Sequence, residues 1–332
     1  MHNGRLRYNS FSGRTATLDQ TATLDQTAML KEMRTRFLRL SIFVFLLFAA
    51  VSVGAHAQSP GIVLTPAVVV AGSPEMIRVV APQDARVEGD WDGHALQFFR
   101  GRAKDFWYAL AGTDVEAAPG PSTVPSTIRV AIHVHDPHDS VTELHQTIAI
   151  HPAHYRTTSL TVAPKFVEPG PDELKRIDAA TDLKKKAYAS TADHPLWTGD
   201  FIAPVPSKAT DSFGTRRMLN GKLAAVHKGM DFRAPSGTVV RAGNAGIVVL
   251  AAPLYYEGNC VIIDHGQGLM SLYMHFSKLE VKPGQRVIKG QRLGLSGATG
   301  RVTGPHLHWA IRWDGAMLDP AKVLQMKLAA LR

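Results

Sequence analysis

One stretch of the sequence combines two histidines with the pattern of a β-strand: Thr303-Gly304-Pro305-His306-Leu307-His308-Trp309, continued by Ala310-Ile311-Arg312-Trp313. Side chains alternate along a strand, so His306 and His308 point to one face. The apolar residues of this run point to the other face and anchor the strand. On a helix the two rings would sit about 200° apart and could not meet a common ligand. We therefore predict a strand that presents two imidazoles side by side.

Six further segments with a strand pattern precede this one, and glycines lie at nearly every junction between them. The predicted strands are 239–242, 246–250, 259–264, 268–275, 286–289 and 292–296. Short strands with tight glycine turns, and little helix before Pro320, are typical of a compact antiparallel β-fold. A lipoyl-like carrier domain would need a lysine at a hairpin tip, whereas Met326-Lys327 lies near the C-terminus. We assign this glycine-rich β domain to residues 198–332.

Residues 58–163 contain another series of short β-rich runs. These runs are 62–70, 76–80, 96–99, 106–110, 128–134 and 141–150. Turn residues separate them and no helical period interrupts, so we predict an immunoglobulin-like β-sandwich. His133, His135 and His138 belong to this segment, and we expect them on a solvated polar face; weak adventitious metal binding is the alternative.

Residues 164–197 are predicted to connect the two β domains. Apolar residues recur there at intervals of three and four, which indicates one amphipathic helix over 172–189. Asp172 is a plausible N-cap of this helix, and Pro195 lies beyond its end. The predicted fold class is therefore mainly β, with an N-terminal sandwich and a C-terminal antiparallel domain joined by a helical connector.

The charge of the chain does not indicate a nucleic-acid partner. The formal net charge is +9 over 332 residues. Residues 1–57 hold seven of the 37 Lys/Arg and three of the 28 Asp/Glu, which leaves a net charge of about +5 on the remainder. No stripe of basic residues interleaved with aromatics is present, so nucleic acid is excluded as a partner, whereas an acidic polymer remains compatible.

The first 57 residues are interpreted as a leader and signal peptide. A 14-residue apolar run, Leu40 to Val53, follows three arginines and precedes Ala55-His56-Ala57. This order of basic, apolar and small residues predicts export, with cleavage after Ala57 and no stable membrane insertion afterwards. A membrane span needs about 20 residues, so a retained anchor is the weaker alternative. A polar direct repeat lies upstream, which makes Met33 the more natural translation start.

The glycine-rich domain contains a set of candidate metal ligands and only one cysteine. The candidates are His227, Asp231, His265, His275, His306 and His308. Two imidazoles, one carboxylate and an open fourth position form a catalytic zinc sphere, whereas structural zinc sites fill all four positions, usually with thiolates. Cys260 alone cannot supply those thiolates, and its apolar neighbours predict a buried strand residue.

Four motifs between residues 204 and 320 form a recognisable set: Ser212-Phe213-Gly214-x-Arg216, His227-x-x-x-Asp231, Tyr273-Met274-His275 and His306-x-His308. They resemble the motifs of the LytM/lysostaphin-type zinc peptidases, which cut peptide bonds in peptidoglycan. By this resemblance, His227, Asp231 and His308 are the ligands of one Zn²⁺ per chain. His275 and His306 then flank the metal as catalytic histidines.

The resemblance implies an exported zinc endopeptidase of a bacterial periplasm or cell envelope, with peptide stems of peptidoglycan as its partner. Cross-links from D-alanine to diaminopimelate are the default substrate, and glycine bridges are the alternative. Whether His275 or His306 is the general base stays open, as does carboxylate binding by Arg216 or Arg217. His265 is interpreted as structural. A non-hydrolytic cell-wall binding protein, or an activator of other wall hydrolases, is the alternative function.

Overall fold

The computed structural model describes most of the chain after residue 60. The described ranges are 61–102, 105–117, 126–136, 140–189 and 192–331. The predicted leader and signal peptide, 1–57, and His138 lie outside the described residues. Strands dominate the described ranges and nearly all pair antiparallel, which confirms the mainly β class. No helix in these ranges is both long enough and apolar enough to cross a bilayer.

The first part of the described chain is a sandwich of two four-stranded antiparallel sheets. Its strands are β1 (Ile62–Thr65), β2 (Pro74–Val80), β3 (Arg86–Trp91), β4 (His94–Ala95), β5 (Phe99–Arg100), β6 (Phe106–Gly112), β7 (Ser126–His135) and β8 (Val141–Ile150). The strand orders are β1-β2-β6-β5 and β4-β3-β7-β8. They match the two sheets of an immunoglobulin-type sandwich, so the predicted architecture is confirmed.

The sequence pattern missed strand β3, which lies in the middle of the sandwich. Arg86 and Glu88 are exposed on this strand, and Val87 and Trp91 alone supply apolar side chains, so no apolar run marks it. Trp91 is 1% exposed, and its indole N–H donates to the carbonyl of Gly112 in the other sheet at 3.1 Å. Burial of this one large side chain therefore compensates for the polar character of the strand.

A single long helix, α1 (Pro171–Ala189), confirms the predicted connector helix. It begins one residue before the predicted cap, so Asp172 lies in the first turn and the N-cap prediction is wrong. Proline is favoured at the first helical position because the N–H that it lacks would have no partner within the helix there. Ala180 and Ala187 are buried against strands of the following domain. Their small side chains let the helix lie close to the sheet.

The C-terminal part is built around one large sheet. Its strands and those beside it are β9 (Thr157–Leu160), β10 (Ala209–Asp211), β11 (Arg216–Leu219), β12 (Lys222–Val226), β13 (Met230–Phe232), β14 (Val239–Arg241), β15 (Gly246–Leu254), β16 (Gly258–Asp264), β17 (Leu269–Leu279), β18 (Arg286–Val287), β19 (Arg292–Ser296), β20 (Leu307–Trp313) and β21 (Ala316–Leu318). The central order is β10-β13-β20-β17-β16-β15-β18. A short helix, α2 (Pro320–Val323), follows the last strand, and 3₁₀ turns lie at Pro164–Phe166 and Leu328–Ala330.

Strand β20 lies between β13 and β17 in this sheet and confirms the predicted alternation. Leu307, Trp309 and Ile311 are fully buried in the main hydrophobic cluster. Ala310, one residue out of phase, belongs to the second cluster on the α1 side. His308 shares the face of Ala310, where the end of the strand opens to a cavity. The strand is therefore fixed by apolar contacts on one face, while His308 on the other face borders the cavity.

The strand before the predicted connector pairs with a strand after it. Residues 157–160 of β9 lie parallel to residues 216–219 of β11, in a three-stranded sheet with β12. The described residues after 60 belong to one compact unit. The boundaries at 163 and 197 stay predictions, and a fragment that begins at 198 would lack β9 from this sheet.

Candidate active site

Three side chains converge so that one atom of each lies in a small triangle. His227 Nε2 is 3.1 Å from Asp231 Oδ1 and 3.0 Å from His308 Nδ1, and His308 Nδ1 is 2.8 Å from Asp231 Oδ1. All three residues are buried. Within the part of the chain that the structure describes, this is the one group of three such side chains with the geometry to hold a metal ion.

Sheet register and one glycine bring the three residues together. Asp231 on β13 lies directly opposite His308 on β20. His227 follows β12 in a loop, as predicted, and its backbone N–H donates to the carbonyl of Thr215 at 2.8 Å. The loop then passes so close to His308 that a Cβ on Gly229 would lie 2.4 Å from His308 Nε2. Glycine at position 229 therefore lets the loop and the ring approach each other.

A further carboxylate and a guanidinium orient two of these side chains. His227 Nδ1 lies 3.0 Å from the carbonyl of Ser212 and 3.2 Å from Asp211 Oδ2. A carbonyl only accepts, so Nδ1 carries the proton and the Nε2 lone pair faces the triangle. Arg217 donates to Asp231 Oδ2 at 2.6 Å and to Asp211 Oδ2 at 2.7 Å. Asp231 thus keeps Oδ1 for the shared site while Oδ2 is held by Arg217.

Two more histidines lie beside the triangle. The ring of His275 is 4.8 Å from the ring of His306 and 6.1 Å from that of His308, centroid to centroid. His275 Nδ1 donates to the carbonyl of Thr299, and His306 Nδ1 donates to that of Gly304, each at 2.8 Å. Both rings therefore keep Nε2 as an acceptor, and His306 Nε2 lies 3.7 Å from Asp231 Oδ1.

The electrostatics of the site favour an ionised Asp231 and neutral imidazoles at His308 and His275, whereas the neighbouring carboxylates of Asp211 and Asp231 raise the pKa of His227 despite its burial. Burial opposes ionisation of Asp231, but its side-chain contacts with His227 and His308 outweigh burial and hold its pKa well below the usual range. Burial lowers the pKa of His308 despite its hydrogen bond to Asp231. Burial, together with nearby His306 and His308, lowers the pKa of His275 to about 3. The ionised carboxylate of Asp231 and the neutral rings of His308 and His275 have the protonation states that metal ligands and proton acceptors require.

The site opens into a cavity of about 800 Å³. Its walls come from the sheet of β9, β11 and β12 on one side and from the loop between β19 and β20 on the other. Charged side chains of both signs line it, including Arg156, Arg217, Lys228, Glu116, Glu257 and Arg301. A space lined by so many charged side chains suits a polar ligand better than an apolar small molecule.

The structure brings five of the six candidate residues together and separates the sixth. His265 is buried elsewhere, with Nδ1 2.7 Å from the carbonyl of Ala245 and Nε2 2.7 Å from Ser271 Oγ. Its role is structural, as predicted. Cys260 is fully buried, also as predicted. Asp211 was missed, although it directly precedes the motif that begins at Ser212.

Comparison with known proteins identifies a family match in the region that contains these five residues. Residues 225–320 match the model of peptidase family M23. The chain is 49% identical over 122 residues to the peptidoglycan DD-endopeptidase ShyA of Vibrio cholerae, and 40% identical over 119 residues to the DD-carboxypeptidase/endopeptidase Mpg of Neisseria meningitidis. Each match covers 36% of this chain, but only 28% of ShyA and 27% of Mpg.

A solved structure resembles a larger part of the chain. It is a putative peptidase M23 from Pseudomonas aeruginosa, with 27% identity and a TM-score of 0.57. The similarity covers 78% of this chain and 95% of that protein, so it extends well beyond residues 225–320. Residues 225–320 therefore form a peptidase family M23 domain in the C-terminal region of this chain.

Proposed function

We propose that this protein is a zinc-dependent endopeptidase that hydrolyses peptide cross-links of peptidoglycan. The observation that carries the proposal is the buried triangle of His227, Asp231 and His308, with His275 and His306 beside it in one polar cavity. ShyA is named as a peptidoglycan DD-endopeptidase and Mpg as a DD-carboxypeptidase/endopeptidase. The family match, residues 225–320, includes all five of these residues.

The donor set fits zinc. Two imidazole nitrogens and one carboxylate oxygen, without a thiolate, form the protein part of a catalytic zinc site. A tetrahedral ion with bonds of about 2.0–2.1 Å needs ligand atoms about 3.3 Å apart. The three atoms are 2.8 to 3.1 Å apart, so a few tenths of an ångström of separation would admit the ion. His227, Asp231 and His308 would hold it, with Arg217 anchoring the carboxylate.

Bound zinc would supply Lewis acidity, which makes water nucleophilic near neutrality and polarises a carbonyl. His306 accepts a proton from the attacking water through Nε2 and then donates it to the leaving amine. The hydrogen bond from its Nδ1 to the backbone fixes the ring for this transfer, and its Nε2 lies 3.7 Å from Asp231 Oδ1. His275, neutral because its pKa is about 3, orients the water by accepting a second hydrogen bond at Nε2.

The proposed bond is the one between D-alanine and diaminopimelate. ShyA and Mpg are named for DD-endopeptidase and DD-carboxypeptidase/endopeptidase activity, which supports this choice over glycine bridges. The proposed location is the periplasm or cell envelope. Export rests on the apolar run Leu40 to Val53 and the following Ala55-His56-Ala57. The mature protein would begin near Gln58, without stable membrane insertion.

Digestion of defined cross-linked muropeptides by the purified full chain, followed by mass analysis of the products, tests this proposal. We expect cleavage at the D-alanyl to diaminopimelate bond, loss of cleavage after chelation, and recovery with one equivalent of zinc per chain. Intact muropeptides in the presence of bound zinc would contradict the endopeptidase assignment. They would favour the second candidate, a cell-wall binding protein or activator of other hydrolases. The presence of all five expected site residues argues against this second candidate.

A further inference from the structure

Four cationic side chains line the cavity of the metal site, and they differ in their partners. Three of them pair with a carboxylate of a described residue: Arg156, Arg217 and Lys228. The fourth, Arg301, forms no ion pair or hydrogen bond through its guanidinium with any residue that the structure describes. It makes a cation–π contact instead, with its Cζ 4.6 Å from the ring centroid of Tyr256. Its hydrogen-bonding capacity is therefore available to a ligand in the cavity.

The loop between β19 and β20 holds Arg301 in a fixed position. Its backbone N–H donates to the carbonyl of Tyr256 at 2.8 Å, so the main chain and the side chain contact the same residue. A Cβ on neighbouring Gly300 would lie 2.3 Å from the nitrogen of Gly258, which shows how closely the loop packs. A stacked guanidinium keeps the N–H groups at its edge free, and that edge matches a carboxylate in bidentate geometry.

No acidic side chain forms an ion pair with Arg301 in the described structure, although Glu257 lies close enough to raise its pKa. Glu257 lines the same cavity, but its Oε1 accepts from Lys184 Nζ at 2.5 Å. Arg301 is half-buried, and burial lowers its pKa, although a guanidinium stays charged at neutral pH. Partial removal of a charge from water costs free energy unless an anion compensates it. A substrate carboxylate would supply that compensation.

The same loop also fixes a residue of the proposed active site. The carbonyl of Thr299, two residues before Arg301, accepts the hydrogen bond from His275 Nδ1. Thr299 Oγ1 donates to the carbonyl of Phe276 at 2.9 Å and accepts from the N–H of Asn259 at 2.9 Å. An anion bound at Arg301 would therefore sit at a set distance from His275. This arrangement can align a peptide relative to the bond that is cut.

We infer that Arg301 binds a free carboxylate of the peptide stem and selects stems that carry one beside the scissile bond. The inference rests on the proposed function and deepens it by naming the recognised group. Arg217, which the sequence analysis considered for this role, is already committed to Asp211 and Asp231. Arg216 is exposed and does not line the cavity.

A matched pair of synthetic cross-linked peptides tests the inference with the zinc-loaded full chain. The peptides differ only in a free carboxylate or a carboxamide beside the scissile bond. We expect the wild type to favour the acid by about 10- to 100-fold in kcat/KM, the size of a charge-assisted hydrogen bond. Arg301→Gln should abolish this preference without loss of zinc, and Arg301→Lys should keep part of it. Arg216→Gln removes the same charge nearby and should keep all of it.

Binding of the same two peptides to chains carrying His306→Ala separates the inference from the proposed function. Equal hydrolysis of acid and amide by the wild type would overturn the role of Arg301 while leaving the peptidase assignment intact. Hydrolysis of neither peptide would overturn the peptidase assignment, and affinity would then decide the role of Arg301. If the peptide acid binds more tightly than the amide, and Arg301→Gln removes this difference in affinity, the role of Arg301 is supported. Equal affinity for both peptides, or no binding of either, would overturn it.

Discussion

Two strands of this protein begin or end in a His-x-His motif, and the two motifs have different surroundings. His306 and His308 at β20 lie beside one carboxylate, Asp231, which is 10% exposed and also contacts His227. His133 and His135 at the end of β7 face two separate carboxylates. Those carboxylates, Glu143 and Glu88, are 60% and 52% exposed. The spacing of the histidines is identical in the two motifs. The motifs differ in that only the one at β20 shares a buried carboxylate.

A carboxylate from a distant strand joins His308 in the candidate metal site. Asp231 is 77 residues before His308 and reaches it through the register of β13 on β20. Its second oxygen is fixed by Arg217, so the ligand oxygen cannot rotate away. Exposed carboxylates are hydrated and screened, and they hold a neighbouring histidine only weakly. The following experiments probe this difference, beginning with the largest expected effect.

Replacing His308 by alanine should remove both metal and activity. Two remaining protein ligands bind a catalytic zinc far more weakly than three, so we expect little zinc after dialysis and no measurable hydrolysis. Bound zinc by elemental analysis and cleavage of cross-linked peptides measure this, with His135→Ala as the matched control. Full activity of His308→Ala would end the metallopeptidase interpretation.

Replacing His306 should separate proton transfer from metal binding. His306→Ala should keep about one zinc per chain, yet cleave cross-links on the order of 10² to 10⁴ times more slowly, the usual contribution of general acid–base catalysis. Zinc content and hydrolysis are measured in the same buffer as for His308→Ala. If both variants lose zinc equally, the proposed division between ligand and proton carrier is wrong.

His265 tests what burial does to a histidine without a carboxylate. Burial lowers its pKa from 6.5 to about 4, so the unfolded state binds more protons between those pH values and stability falls as pH drops through that window. The pKa shift corresponds to about 3 kcal/mol at pH 4. Denaturant unfolding of metal-free wild type and His265→Asn should show their stability difference narrowing by about this amount between pH 7 and pH 4. A constant difference would contradict the shift.

The smallest effects are expected at His133 and His135. His133→Ala and His135→Ala each remove a histidine whose acidic partner is largely exposed, so the free energy of unfolding should change by less than about 1 kcal/mol. Zinc content and hydrolysis should match the wild type. A loss of zinc in either variant would mean that spacing alone is enough to bind metal here.

The sequence was sufficient for features that depend on local periodicity. The alternation around His306 and His308 predicted a strand with an apolar anchoring face, and burial of Leu307, Trp309 and Ile311 confirms it. Strand β3 shows where this approach fails. Only two of its six residues are apolar, and the contact of Trp91 with the opposite sheet was not visible in the sequence.

The resemblance to a known family named the five site residues from the sequence, but not the groups that orient them. Asp211, Thr299 and Gly304 contact His227, His275 and His306, and the sequence analysis did not predict these contacts. Two of the three contacts use backbone carbonyls, which every residue type possesses. Residue identity therefore carries no signal for them.

The sequence by itself determined the strand periods, the turns and the residue types of the site, because these depend on neighbours within a few positions. The tertiary structure decided which strands pair: β13 beside β20, and β9 beside β11 across the predicted connector. It also decided that Arg217 pairs with Asp231 while Arg301 faces the cavity. Cross-strand register and charge pairing arise from the packing of the whole sheet, so no local pattern specifies them.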